Sequence, residues 1–215
     1  MKLPGTATQP ENIAIAIGKL SLRQGLTFLD IGCGSGAVSL AASRFTDKII
    51  GIDKRPEAVK AATALVPKGR FICGEASKIL PTIPGIDRCF IGGTQEIEVF
   101  LPLLLERALP GCIIVANLAR MGIALKAARL MEEAGIMEEL LMIEIHRGRA
   151  LAGDIALRPI NPIFMVVGRM PMRSTISVPC EDGGIGDDGV QSKETGNREI
   201  REGGIAKGEG GYEIC

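Results

Sequence analysis

Residues 28–37 read FLDIGCGSGA, an apolar run broken by Asp30 that ends in three alternating glycines. A strand feeding a glycine loop and then a helix lets backbone N–H groups approach a ligand with no Cβ in the way, and the helix N-terminus behind it favours negative charge. Gly32, Gly34 and Ala37 satisfy the G-x-G-x-x-G/A pattern of dinucleotide sites. Gly32, Gly34 and Gly36 equally satisfy the G-x-G-x-G loop of S-adenosylmethionine enzymes. Alone, the stretch admits a hydride carrier, a methyl donor, or a tight turn with no ligand.

Outward from this loop, strand and helix patterns alternate. Strands are predicted over 26–31, 48–53, 69–73, 86–91 and 111–117. Helical patterns cover 10–20, 36–44, 56–65, 95–108 and 119–134, with Pro10 and Pro56 suited to first turns and Gly135 to a helix end. Such a series predicts an α/β fold with a doubly wound, mostly parallel sheet. Residues 138–147 and 160–168 then read as two strands with no helix between them, joined by a loop over 148–159. They would pair antiparallel as a terminal hairpin and complete a seven-stranded sheet. Pro162 implies an edge position or a bulge.

Aromatic residues are scarce, with no Trp and one Tyr, so the core must be aliphatic. That suits strands buried on both faces and argues against a stacking platform for single-stranded nucleic acid. The zero net charge hides an asymmetry: four of 25 basic and nine of 25 acidic residues fall in 181–215, leaving 21 against 16 in residues 1–180. A mildly basic body suits an anionic small molecule, and is too weak to imply nucleic acid. Residues 181–215 hold ten of the 28 glycines and few large apolar groups, so the 171–215 tail is expected to be disordered beyond a 1–170 domain. Its run Asp182–Gly189 misses the calcium-loop spacing. The six cysteines form no C-x-x-C pair and accompany a single histidine, so no zinc or other metal site is expected. Cys33, Cys73, Cys89 and Cys112 read as buried thiols of a reducing compartment, and no apolar run approaches a membrane span. The expectation is a cytoplasmic protein with no membrane partner.

The second strand narrows the choice of cofactor. It ends at Asp53, where a carboxylate can accept hydrogen bonds from two ribose hydroxyls. Gly74-Glu75-Ala76 ends the third strand, where methyltransferases of this fold place adenine contacts. A nicotinamide dehydrogenase would need a further catalytic domain, and here only the tail follows. A methyl-donor site of the class I, Rossmann-like type is favoured.

The segments PGTATQPENI, LDIGCGSGAVSL, GIDKRPEAV, GEA, IDRCFIGGT, PGCIIVAN, RGRALAG and NPI together resemble the decarboxylating precorrin C15-methyltransferases of cobalamin biosynthesis, over about Pro4 to Gly168. Ile91-Gly92-Gly93-Thr94 is the selective piece, standing where many nucleic-acid methyltransferases carry an Asn/Asp-Pro-Pro-aromatic motif. The resemblance implies S-adenosylmethionine as cofactor, lined by Gly32, Cys33, Gly34, Ser35, Gly36, Asp53 and Ala76, with Thr8 closing over it. Gly92, Gly93 and Thr94 would form the wall near the transferred methyl; the plainer reading is a strand-to-helix turn. It further implies a homotetramer acting on precorrin-6B or its cobalt form. Leu and Met clusters at 101–105 and 130–142 could serve an interface, although ordinary core explains them too.

Gripping a polycarboxylate macrocycle calls for arginine, which binds carboxylates bidentately. Arg147, Arg149 and Arg158 are the candidate clamps, against the plainer reading of a solvated loop face. His146 is a weaker acid/base candidate beside them. Departures from the family pattern are Ile13 in place of an Arg, Ala41 in place of an acid, and Arg120 and Gly122 in place of Thr and Glu. They touch the substrate side. The rival readings are a methyltransferase of the same fold acting on tRNA and a non-catalytic adenosine-binding subunit.

Overall fold

The structure is a computed structural model that describes residues 8–93 and 95–172. The acidic tail and Thr94 lie outside the described residues. The chain begins with α1 (Pro10–Leu20), then alternates β1 (Phe28–Ile31), α2 (Ala37–Ala42), β2 (Ile49–Asp53), α3 (Pro56–Leu65) and β3 (Arg70–Cys73). A short α4 (Ala76–Ile79) and a 3₁₀ turn (Leu80–Thr82) lead to β4 (Ile86–Ile91), α5 (Ile97–Arg107), β5 (Ala108–Leu118) and α6 (Met121–Glu133). Two long strands, β6 (Met137–Leu151) and β7 (Asp154–Arg169), close the order.

Seven strands form one sheet in the order β3-β2-β1-β4-β5-β7-β6, parallel except for β7, which runs antiparallel to both neighbours. The order reverses between β1 and β4, so the ligand crevice of a doubly wound sheet falls at their carboxyl ends. Every residue of β1 and β2 is buried, as continuous apolar strands covered on both faces require. One layer packs α1 and α2 residues such as Ala16, Leu20, Val38 and Ala42 against Phe28, Phe90, Ile113 and Val115. The other packs Leu101, Leu104, Ala127 and Met131 against Ile31, Ile91, Ile114 and Ala116. Leu101 and Leu104 are therefore core, which removes most of the 101–105 cluster as an interface.

Two salt bridges pin α1 alongside β6: Lys19 Nζ to Glu139 at 2.5 Å, and Arg147 to Glu11 at 2.6 Å. The N-terminal turn of α1 is thereby held at the carboxyl edge of the sheet. At the opposite edge buried Arg88 donates from Nε to the carbonyl of Leu20 at 2.6 Å, anchoring the other end of the helix.

The segment 148–159 departs from expectation. It is not a loop but the far half of a hairpin, paired from Ile145↔Ile160 out to Leu151↔Asp154 and closed at Ala152-Gly153, both at positive φ. β7 pairs with β5 only from Phe164 onward, and Phe164 lies opposite Leu118 at the end of β5. Residues 154–163 therefore stand beyond the sheet as a two-stranded ribbon, roughly 30 Å long at strand rise. Its alternating Arg, Leu and Ile side chains make good strand material, a pattern that the intervening glycines concealed. Pro162 falls at a register shift between Ile143 and Ile145, on a stretch where β7 has no second neighbour, so it withholds no ladder hydrogen bond from β5.

Candidate active site

The glycine loop is shaped by close packing. Gly32 has φ +75°, and a Cβ built on it would lie 2.3 Å from the backbone nitrogen of Gly93. The ends of β1 and β4 thus meet through bare backbone: Gly32 can carry no side chain there, and a Cβ on Gly93 would already sit only 3.0 Å from Cα of Gly32. Gly36 does a different job: its Cβ would fall 3.0 Å from Cα of Ala62, so this third glycine seats the loop on α3. The loop's N–H groups also hold the structure, since Gly32 and Cys33 both donate to the carbonyl of Ile52.

Asp53 ends β2 almost fully buried, and four donors converge on it. Oδ1 accepts from the backbone N–H and from Nε of Arg55, both at 3.0 Å. Oδ2 accepts from the N–H of Gly34 at 2.9 Å and from an Arg55 terminal nitrogen at 3.0 Å. Burial pushes the carboxyl up, but the Arg55 and Gly34 hydrogen bonds together outweigh it and hold the group below the usual aspartate range. Asp53 is an anion whose four lone-pair directions are all in use. Asp30, one strand over, behaves oppositely: full burial pushes its pKa up to about 7 despite the 2.6 Å bond donated by Ser39 Oγ. Burial also pushes the Cys33 thiol up, so it is inert rather than a nucleophile, and it lies outside the cavity wall described below.

A cavity of about 430 Å³ opens over these strand ends, within the size range of ligand pockets. Gly32, Asp53, Ala76, Gly92 and Gly93 line it, so five of the residues singled out from the sequence meet in one place. Gly34 reaches it through Asp53. Thr8, half-buried before α1, and exposed Ser35 are not in its wall. Lining residues that sequence reasoning missed are Phe100, whose ring is buried beneath the crevice, and Arg55 and Gln95 at its mouth. Cys73 is exposed rather than buried, because β3 is the edge strand. No group of three or more metal-ligating His, Cys, Asp or Glu side chains occurs among the described residues, and none of their helices is long and apolar enough to cross a membrane.

Residues 2–168 match the model of the precorrin methyltransferase domain family. The chain belongs to the precorrin methyltransferase family. Relatives include the probable cobalt-precorrin-6B C(15)-methyltransferase (decarboxylating) of Methanosarcina acetivorans, 35% identical over 79% of this chain and 96% of that one. The protein of the same description from Pyrobaculum aerophilum is 34% identical over 74% and 86%. Among solved structures, precorrin 8w decarboxylase of Methanobacterium thermoautotrophicum superposes with a TM-score of 0.74 at 22% identity, over 78% of this chain and 95% of that one. At that identity the superposition speaks for the class I methyltransferase fold.

In this member of the precorrin methyltransferase family, the three candidate clamps occupy one face of the ribbon. Arg147 lies directly opposite Arg158, and Arg149 opposite Ala156, and facing residues of an antiparallel pair share a side. It is the side of α1, because Arg147 pairs with Glu11 and because Leu141 and Ile143 pack against the same core layer as Ile13 and Ile17. Arg147 is thus already occupied by Glu11, whereas Arg149 and Arg158 are exposed and make no ion pair among the described residues. His146 and its cross-strand neighbour Pro159 point to the opposite face, with Glu144 Oε2 3.9 Å from the imidazole. That separates His146 from the arginines and favours its plainer reading as a strand-edge side chain.

Proposed function

We propose that this chain is a decarboxylating C15-methyltransferase of cobalamin biosynthesis, acting on precorrin-6B or cobalt-precorrin-6B with S-adenosylmethionine as methyl donor. The observation that carries the reading is the placing of two binding elements at one sheet edge: the Gly32–Asp53 cradle and, beyond the end of β5, the arginine face of the ribbon.

The residues fit an adenosine-bearing donor. Gly32 presents backbone where a Cβ would collide with Gly93, and Asp53 is an ionised acceptor at the end of β2. Bound there, the sulfonium donor supplies an already electrophilic methyl group, so alignment and water exclusion matter more than a strong base. Asp53 would accept the ribose hydroxyls, Ala76 would border the adenine, and Phe100 and Ile31 would keep that floor dry. Gly92 and Gly93, with Thr94 after them, leave the end of β4 bare for the approaching acceptor carbon. Loss of CO₂ from an acetate arm leaves its electron pair to the conjugated macrocycle, so the chain's own task is to grip carboxylates. Arg149 and Arg158 suit that task, with Arg147 set in place by Glu11.

Copies of the chain associate, as a tetramer, through the other face of the ribbon. Its Ile155 and Leu157, with Met142 at its base in the sheet, are 73%, 67% and 60% exposed beside the edge of β6 that no described strand pairs. An apolar edge of this kind needs covering. No membrane or nucleic-acid partner is needed, in keeping with a cytoplasmic enzyme.

Incubation with labelled donor and a precorrin-6B-type tetrapyrrole tests the reading by mass. A gain of one methyl with loss of one CO₂ supports it. Donor binding without turnover of the tetrapyrrole rejects it.

A further inference from the structure

Asn117 stands one residue from the end of β5, and its side chain is buried, at 8% exposure. Neither its Oδ1 nor its Nδ2 has a hydrogen-bond partner among the described residues. A buried carboxamide left open at both ends opposes folding, so its retention calls for a partner that arrives later. Asn12, on the first turn of α1 and 2% exposed, adds a second unpartnered amide oxygen. Both lie in the layer between α1 and the sheet. Alternation along β5 sends Asn117 the same way as Ile113 and Val115, which pack with α1 residues Ala16 and Leu20.

The position of Asn117 in the sheet narrows what that partner is. Ala116 is in register with Ile91, so Asn117 is level with Gly92 on the adjacent strand. On its other side it pairs with Met165, one register step below the point where the ribbon leaves the sheet. It therefore sits between the bare end of β4 and the base of the arginine face. The cradle residues Gly32, Asp53 and Ala76 lie towards the other end of the sheet, on or just after β1, β2 and β3.

We propose that Asn117 reads the methyl acceptor, its carboxamide pairing with one protonated carboxyl arm of the tetrapyrrole, Nδ2 donating to the carbonyl oxygen and Oδ1 accepting from the O–H. Asn12 Oδ1 takes a second donor from the same molecule. A carboxamide suits this work because it offers both hydrogen-bond senses at once without adding charge. The inference rests on the tetrapyrrole reading above and deepens it by naming the polar contact nearest the reacting edge.

The test compares Asn117→Leu with the unaltered chain in three measurements: thermal midpoint, affinity for S-adenosylhomocysteine, and KM for a precorrin-6B-type tetrapyrrole. Leu fills the same volume and removes the open amide, so the midpoint rises. The KM increases at least tenfold, and S-adenosylhomocysteine affinity stays within twofold. Asn117→Ala, which cannot overpack the site, shows the same split between the two ligands. An unchanged KM overturns the proposal. So does weakened S-adenosylhomocysteine binding with KM intact, which would assign the amide to the donor, or a lowered midpoint with both affinities lost, which would make it structural. If the unaltered chain binds S-adenosylhomocysteine but turns over no tetrapyrrole, the functional reading itself fails, and this inference falls with it.

Discussion

Asp53 shows how a carboxylate can be placed from sequence while its partners stay hidden. Its place at the end of the second strand marks it as a ribose acceptor, but nothing in the spacing says that Arg55, two residues on, fills both its oxygens. Ribose hydroxyls can bond to Asp53 only as the guanidinium withdraws. Asp53→Ala should therefore weaken S-adenosylhomocysteine binding tenfold or more by calorimetry. Arg55→Met should strengthen it several-fold, since the competing donor is gone. Weaker binding by Arg55→Met would show instead that the guanidinium orients the carboxylate. Asp30 predicts a pH effect. With a native pKa of about 7 against an unfolded value near 3.8, the folded chain holds a proton that the unfolded chain releases across that window. Stability from this group is thus lost as pH rises from about 4 to 7 and is flat above, a span on the order of 4 kcal/mol. Asp30→Asn should flatten that slope in denaturant midpoints measured from pH 4 to 8; an unchanged slope would place the titration elsewhere.

At the level of elements, the parallel half of the sheet was legible because each of its strands is a short apolar run punctuated by Gly, Asp or Pro. The helix over 10–20 was equally clear, since Pro10 opens it and Ile13, Ile17 and Leu20 keep helical spacing, although its buried side turns out to centre on Asn12, Ala16 and Leu20. The ribbon was not legible. RGRALAGDIALRP offers turn residues and charges at every other place, and such a pattern reads as a loop until register shows it to be a two-sided strand pair. The arginines named from sequence gain meaning from that register, which gathers them on one side. Exchanging Arg149 or Arg158 for Ala should raise the KM for the tetrapyrrole about tenfold each, the loss of one charge-assisted hydrogen bond, with donor affinity unchanged. A parallel loss of donor affinity would argue against a role confined to the acceptor.

Across the whole molecule, the proposed function divides the sheet: β1 to β3 would cradle the donor, and β5 to β7 would face the acceptor. The switch between β1 and β4 sets the boundary, and Gly32 against Gly93 is where the two halves touch. The cradle could be anticipated because its residues are close in sequence to strand ends that punctuate the chain. Asn12 and Asn117 could not, since they are 105 positions apart and share a layer only once α1 has packed. Self-association through the ribbon predicts that Ile155→Lys combined with Leu157→Lys yields monomers in sedimentation velocity, with the fold retained by circular dichroism. A species of unchanged mass would exclude that face as the interface.

The insertion of β7 between β5 and β6 also bears on how the chain is made. As it leaves the ribosome, residues 28–118 can assemble five parallel strands, but the outer edge of β5 stays bare until Phe164–Arg169 emerges. β6 does not cover that edge, because among the described residues it pairs with β7 alone. The edge of β5 is therefore closed only once β7 has been made, and a nascent chain halted before residue 164 presents a hydrophobic strand to whatever it meets first.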